Sequence, residues 1–209
     1  MPWSSSHPLN CKPRISTVVT LCFGLTIFGI GEATLIAASI GVSPWTVLAQ
    51  GLGVTTGLSI GWATFVVSVS VLLFWFPLRQ IPGIGTILNL LIIPLVIELL
   101  LPSLPEPDSY LFKIIQVTFG ITLVGIGSGC YLISNLGAGP RDGLMTGLQL
   151  LTGRPIALVR TSIEISVVGV GWLLGGTVGI GTVMFAFGIG PAVSLSLYSV
   201  QRVFGLKDN

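Results

Sequence analysis

The chain has 209 residues, 52% hydrophobic and 8% charged, against about 25% charged in an ordinary soluble domain, and its mean hydropathy is +0.97. A water-soluble core of this size cannot hide so many apolar side chains, so the composition predicts a polytopic membrane protein. The formal net charge of +2 and the lack of a basic, aromatic-interleaved stretch exclude nucleic acid as a partner.

Residues 1–14 read as a disordered cytoplasmic tail. They hold His7, the one histidine, which removes most metal-ligand and general-base schemes. The first apolar span covers 15–40. Lys12 and Arg14 before it imitate a signal peptide, but the segment has a counterpart from Gly120 onward and is read as a retained membrane helix. Glu32 lies well inside this span. An ionisable group at mid-membrane costs about 2.5–3.5 kcal/mol on insertion scales, which makes Glu32 a candidate for substrate contact or proton coupling. The plainer alternative is a protonated or hydrogen-bonded carboxyl buried between helices.

From Ser43-Pro44 to Gly57 runs a different kind of segment, with Pro at the first helical position and Gly past the end. As a helix it reaches only about 20 Å, too short for a roughly 30 Å hydrocarbon core. It is predicted to lie at the interface or to dip in and return. Spans 58–78 and 83–101 follow, then an extracytoplasmic linker, 102–111, with Glu106 and Asp108.

The second half opens with span 112–134. Gly137-Ala138-Gly139-Pro140 then leads into a second short helix that ends at Gly153. These glycines lack the spacing, preceding strand and G-K-[ST] of a nucleotide loop, so no nucleotide or other cofactor is expected. Asp142, Thr146 and Gln149 form a polar stripe at i, i+4, i+7, opposed by Leu144, Leu148 and Leu151. Arg141 and Asp142 open the helix, where free N–H groups and the positive dipole end suit an anionic group. Two alternatives remain: Asp142 complements the dipole while Arg141 pairs with Glu164, or the group contacts lipid headgroups. Arg160 and Glu164 stand i, i+4 on span 156–175 and can pair along one face. Span 180–200 and a cytoplasmic tail, 201–209, complete the chain.

Cys11, Cys22 and Cys130 are an odd, scattered set without C-x-x-C spacing, so neither a disulfide framework nor a metal site is indicated. Gly53, Gly57 and Gly61, and likewise Gly171, Gly175 and Gly179, recur every four residues, the spacing of helix-packing glycines inside a bundle or along a homodimer seam. Trp45, Trp62, Trp75 and Trp172 fall near span ends and read as interfacial anchors.

The strongest pattern is a repeat. Gly41, Pro44, Leu48, Gly51, Leu52, Thr56 and Gly57 return 96 residues later as Gly137, Pro140, Leu144, Gly147, Leu148, Thr152 and Gly153. The same offset carries Gly24, Gly29, Ile30 and Gly31 onto Gly120, Gly125, Ile126 and Gly127, and Gly83–Thr86 onto Gly179–Thr182. Two membrane copies result, 15–101 and 112–200. With Lys12 and Arg14 in the cytoplasm, six spans place every other Lys and Arg except Lys113 on the same side. Three crossings per copy is an odd number, so the expected fold is all-α, two inverted-topology repeats of three transmembrane helices, each with a short interfacial or re-entrant helix after its first span. The copies diverge at Glu32 against Ser128, Arg141 and Asp142 against Trp45 and Thr46, and Arg160 and Glu164 against Thr64 and Ser68.

The run L-G-A-G-P-R-D-G-L-M from Leu136 to Met145, Arg160 with Glu164, G-W-L-L-G-G-T-V-G-I-G-T from Gly171 to Thr182, and Ser43-Pro44-Trp45 in the first half together resemble the YczE-type family of bacterial integral membrane proteins. The chain is more distantly similar to YitT-like membrane proteins. The resemblance extends from about Leu21 to Val200 and implies a multi-pass protein of the bacterial cytoplasmic membrane; the charge count adds the expectation that both termini are cytoplasmic. It supplies no catalytic residue. The expected function is a small-solute permease with a site between the repeats, Glu32 contacting substrate or proton and Arg141, Asp142, Arg160 and Glu164 forming an inner gate. A non-transporting accessory or scaffold protein for a membrane-associated partner and an aquaporin-like pore are the alternatives. An enzyme is not expected, because no nucleophile stands near a base and no metal cluster is readable. The expected partners are the lipid bilayer and an unidentified small solute, with a homodimer left open.

Overall fold

A computed structural model describes residues 4, 5, 7–10 and 12–203. Cys11, Lys207 and the end of the C-terminal tail lie outside the described residues. Among the described residues, eight α-helices follow one another: α1 (Ile15–Ala37), α2 (Pro44–Thr56), α3 (Ile60–Leu73), α4 (Ile84–Leu100), α5 (Tyr110–Ser134), α6 (Pro140–Thr152), α7 (Ile156–Leu173) and α8 (Ile180–Val203), with a 3-10 turn at Leu101–Ser103. The described residues contain no strand. Both short helices begin at their proline and stop where a glycine turns left-handed, Gly57 at φ 76° and Gly153 at φ 64°.

Helices α1, α4, α5, α7 and α8 are each long and apolar enough to cross a membrane, and α2 with α3 forms a pair bent by 113° that passes the same test jointly. This is an all-helical integral membrane protein. Exposed Leu173, Phe187 and Leu195 suit an outer surface bathed by hydrocarbon. The expected span 58–78 is corrected to a helix of 14 residues, Ile60–Leu73, followed by turns up to Arg79. Pro77 accounts for the early stop, since it lacks an amide proton and disfavours helical geometry in the residue before it.

The centre of the bundle is the α1–α5 pair. Its packing depends on glycine. A Cβ on Gly24 would stand 2.8 Å from the Cβ of Cys130 and 2.9 Å from the Gly127 carbonyl oxygen, and one on Gly127 would stand 2.5 Å from the Phe28 nitrogen and 2.6 Å from the Gly24 oxygen. Gly31 and Gly120 meet in the same way. Because Gly24 faces Gly127 while Gly31 faces Gly120, the helices run antiparallel, and the 96-residue offset converts one contact into the other.

The same exchange recurs at the helix starts. The amide of Gly85, in the first turn of α4, donates to the Leu136 carbonyl at 2.7 Å; the amide of Gly181, in the first turn of α8, donates to the Ile40 carbonyl at 2.8 Å. Each copy therefore satisfies an orphan helix N–H of the other with the loop after its own first helix. Gly41 and Gly137, at φ 111° and 114°, give these loops their shape. The stretch read as a disordered tail also makes contacts, for Ser5 is buried, its amide donates to the Ser134 carbonyl at 2.9 Å, and Asn135 Nδ2 donates to its carbonyl at 3.0 Å.

The six glycines expected to pack helices divide. Gly61 abuts Glu98 and Pro94 of α4, and Gly171 abuts Val47 and Leu48 of α2. Gly57 and Gly175 are instead left-handed turn residues, Gly53 lies nearest the carbonyl of Leu58 in the connection after its helix, and Gly179 seats against Ile40. All four mark a chain turn or seat against a connection between helices, a difference from helix-on-helix packing that spacing alone does not show. On α6 the buried face is also not the leucine stripe. It consists of Pro140, Gly143, Met145 and Gly147, with Leu151 exposed, since Gly143 and Gly147 admit Trp75 and Leu78.

Candidate functional site

A cavity of about 140 Å³ lies midway along α1, α4, α5 and α8, and the first residues of α2 and α6 open onto it. Its walls come in pairs related by the repeat: Phe28 and Val124, Glu32 and Ser128, Pro44 and Pro140, Trp45 and Arg141, Thr64 and Arg160, Ser68 and Glu164, Asn89 and Phe185, Ile93 and Ile189. All five candidates read from the sequence, Glu32, Arg141, Asp142, Arg160 and Glu164, line this one cavity.

Glu32 is fully buried. Its Oε2 accepts hydrogen bonds from Ser43 Oγ at 2.9 Å and Thr46 Oγ1 at 2.7 Å, and the two hydroxyl oxygens are 2.9 Å apart. The carboxyl thus sits against the N-terminal end of α2, where helix geometry favours negative charge. Oε1 has no hydrogen-bond partner. An orphaned oxygen on a buried carboxyl is costly, and this one belongs to a residue of the cavity wall.

The second copy builds the corresponding corner with the roles exchanged. Ser128 on α5 replaces the carboxyl of α1, while Asp142 at the start of α6 replaces the hydroxyl of Thr46. Asp142 Oδ2 accepts a short hydrogen bond from the hydroxyl of Tyr131. Each short helix therefore has one carboxyl at its N-terminal end, supplied by a long helix in one copy and by the short helix itself in the other.

Arg141 lies with its guanidinium carbon 5.6 Å from the centroid of the Trp45 ring, a cation–π arrangement. The alternative pairing of Arg141 with Glu164 is not formed. Glu164 Oε1 instead accepts from Arg160 Nε at 2.8 Å along α7, the i, i+4 pairing its spacing predicts, and this is the ion pair among the described residues. Arg141 lines the cavity, and among the described residues no carboxylate lies at ion-pair distance from it.

Two tryptophans are also corrected. Trp45 and Trp75 are buried, and Trp75 Nε1 donates to the Pro140 carbonyl at 2.9 Å, holding the start of α6; Trp62 and Trp172 are exposed. Nearness to a span end misled because α2 starts inside the bundle rather than at its rim. Ser43, Tyr131 and Asn89 are site residues that the sequence reading passed over. Tyr131 and Asn89 carried a signal, since each is a polar side chain whose repeat partner, Leu35 or Phe185, is apolar. No group of three or more His, Cys, Asp or Glu suited to a metal ion occurs among the described residues.

A family model described as "Family of unknown function (DUF6198)" matches residues 15–197. An "Uncharacterized protein" of Haemophilus influenzae is 43% identical over 190 residues, covering 91% of this chain and 87% of its own. The "Uncharacterized membrane protein YczE" of Bacillus subtilis is 32% identical, with 86% and 88% covered, and the "Uncharacterized protein YyaS" of the same organism is 27% identical, with 88% and 94% covered. No solved structure matches the chain.

Proposed function

The chain belongs to the DUF6198 family, a family of unknown function to which the YczE-type likeness also leads, and we propose that this member is a small-solute permease whose binding site is the cavity between its two copies. The observation that carries the reading is the fully buried Glu32, with one oxygen lacking a donor, in the wall of a cavity whose paired residues differ in charge between the copies. A bundle built only for stability has little use for a fully buried carboxyl beside a void that four further charged side chains line, because a buried charge is expensive and is retained where it serves a pathway.

In this reading the copies are inverted across the membrane of a bacterium, both termini are cytoplasmic, and the site sits at the midplane, as in transporters made from inverted repeats. The antiparallel α1–α5 seam and the exchanged helix-start contacts support it, as does the charge pattern, since six crossings would leave every Lys and Arg other than Lys113 on one side. The test is uptake into vesicles carrying the purified protein, with a panel of amines, carboxylates, amino acids and polyols, with and without a pH gradient. Saturable flux that Glu32→Gln abolishes is expected. Absence of flux for the whole panel would favour the accessory reading, which a co-purifying membrane partner would identify.

A pore reading is favoured by one feature, the convergence of both short-helix starts on the cavity. It predicts rapid, unsaturable water permeation in osmotic swelling assays.

A further inference from the structure

Within the cavity, the charges that have partners can be separated from those that do not. Arg160 and Glu164 hold each other, and Asp142 is engaged by Tyr131. Two groups of opposite sign remain available, Glu32 through Oε1 and Arg141 through its guanidinium. The Arg141 guanidinium carbon lies over the Trp45 ring, a contact that uses none of its N–H donors as hydrogen bonds to a carboxylate, and a guanidinium can fork a carboxylate with two of them. Glu32 Oε1 accepts from an ammonium donor without disturbing Ser43 and Thr46, which hold the other oxygen.

We infer that the cavity seats a small zwitterion, a neutral α-amino acid whose ammonium group donates to Glu32 Oε1 and whose carboxylate takes the guanidinium edge of Arg141. This rests on the reading of the cavity as the solute site and adds the chemical class. A simple amine leaves Arg141 without an anion and a simple acid leaves Glu32 without a donor, so each satisfies half of the site at the expense of the other. Size agrees, since a cavity of roughly 150 Å³ holds a benzene-sized molecule and this one is about 140 Å³. Phe28, Ile93 and Met145 supply apolar wall for a short aliphatic side chain.

The test uses the full chain in lipid nanodiscs, with binding read by calorimetry and by the shift in thermal unfolding. The probes are glycine, alanine, serine and valine, each beside the amine that lacks its carboxylate and the acid that lacks its amine; for alanine these are ethylamine and propionate. At least one amino acid is expected to bind roughly tenfold or more tightly than either analogue, the scale of one charge-assisted contact. Glu32→Gln and Arg141→Lys should each lower that affinity by about tenfold or more, the second because an ammonium cannot reproduce the fork. Should ethylamine or propionate bind as tightly as alanine, or should none of the four amino acids bind the unaltered protein, the inference is overturned; neither outcome depends on a variant folding. Vesicle flux separates this result from the permease reading. Binding without flux removes transport and leaves the zwitterion site, whereas flux of polyols or amines without amino-acid binding removes the zwitterion site and leaves transport.

Discussion

Ser43 and Thr46 hold one oxygen of Glu32, a cavity-lining residue, while its other oxygen has no donor, so a single carboxyl both anchors α2 to α1 and offers an acceptor. These tasks respond differently to substitution. Thr46→Val removes one of two donors to Oε2 and should destabilise the protein by about 1–3 kcal/mol, the net worth of a buried hydrogen bond to a carboxyl group, as measured by thermal unfolding in detergent. The double variant with Ser43→Ala should cost more than the two single losses added, because only then is Oε2 left buried with no donor. An unchanged midpoint for Thr46→Val would mean that Ser43 alone suffices to hold the carboxyl.

At the scale of elements, the long helices meet through glycine and the short ones plunge inward. Gly127→Ala puts a methyl group 2.5 Å from the Phe28 backbone nitrogen, against a helix that cannot yield locally, whereas Gly169→Ala meets nothing within 4 Å. The first should lose about 1–3 kcal/mol; the second should be neutral or gain up to about 1 kcal/mol from helix propensity. Equal melting points for the two variants would refute the close α1–α5 seam. The depth of α2 has its own readout. Thr46 and Ala49 are fully buried, while Thr55 and Thr56 at the other end are exposed. Single cysteines along this helix, with Cys11, Cys22 and Cys130 replaced by serine, should react with a water-soluble maleimide at 55 and 56 and resist it at 46 and 49. Uniform labelling from end to end would place α2 on the surface.

For the whole molecule, the orientation of the two copies decides the mechanism. Asp108→Cys and Arg154→Cys, both at exposed loop positions, should be labelled from opposite faces of intact cells by an impermeant reagent, Asp108→Cys from outside; labelling of both from one face would contradict the single crossing, α5, between them. The sequence by itself determined the membrane class, the bounds of the two short helices, the 96-residue duplication and the i, i+4 pair of Arg160 with Glu164. Those features are local or periodic along the chain: apolar length, Pro and Gly at helix ends, one turn of spacing, a fixed offset. It also named Glu32, Arg141, Asp142, Arg160 and Glu164, because a charge in an apolar span or at a copy mismatch stands out without knowledge of its neighbours. Only the tertiary structure decided that these five share one cavity, that Arg141 lies over the Trp45 ring and leaves Glu164 to Arg160, and that Trp75 is buried against Pro140. It likewise decided that Gly24, Gly31, Gly120 and Gly127 form the seam while Gly57 and Gly175 make turns. The reason is physical: most of those contacts join residues from different copies, and spacing within one helix carries no information about which surface another helix will bring against it.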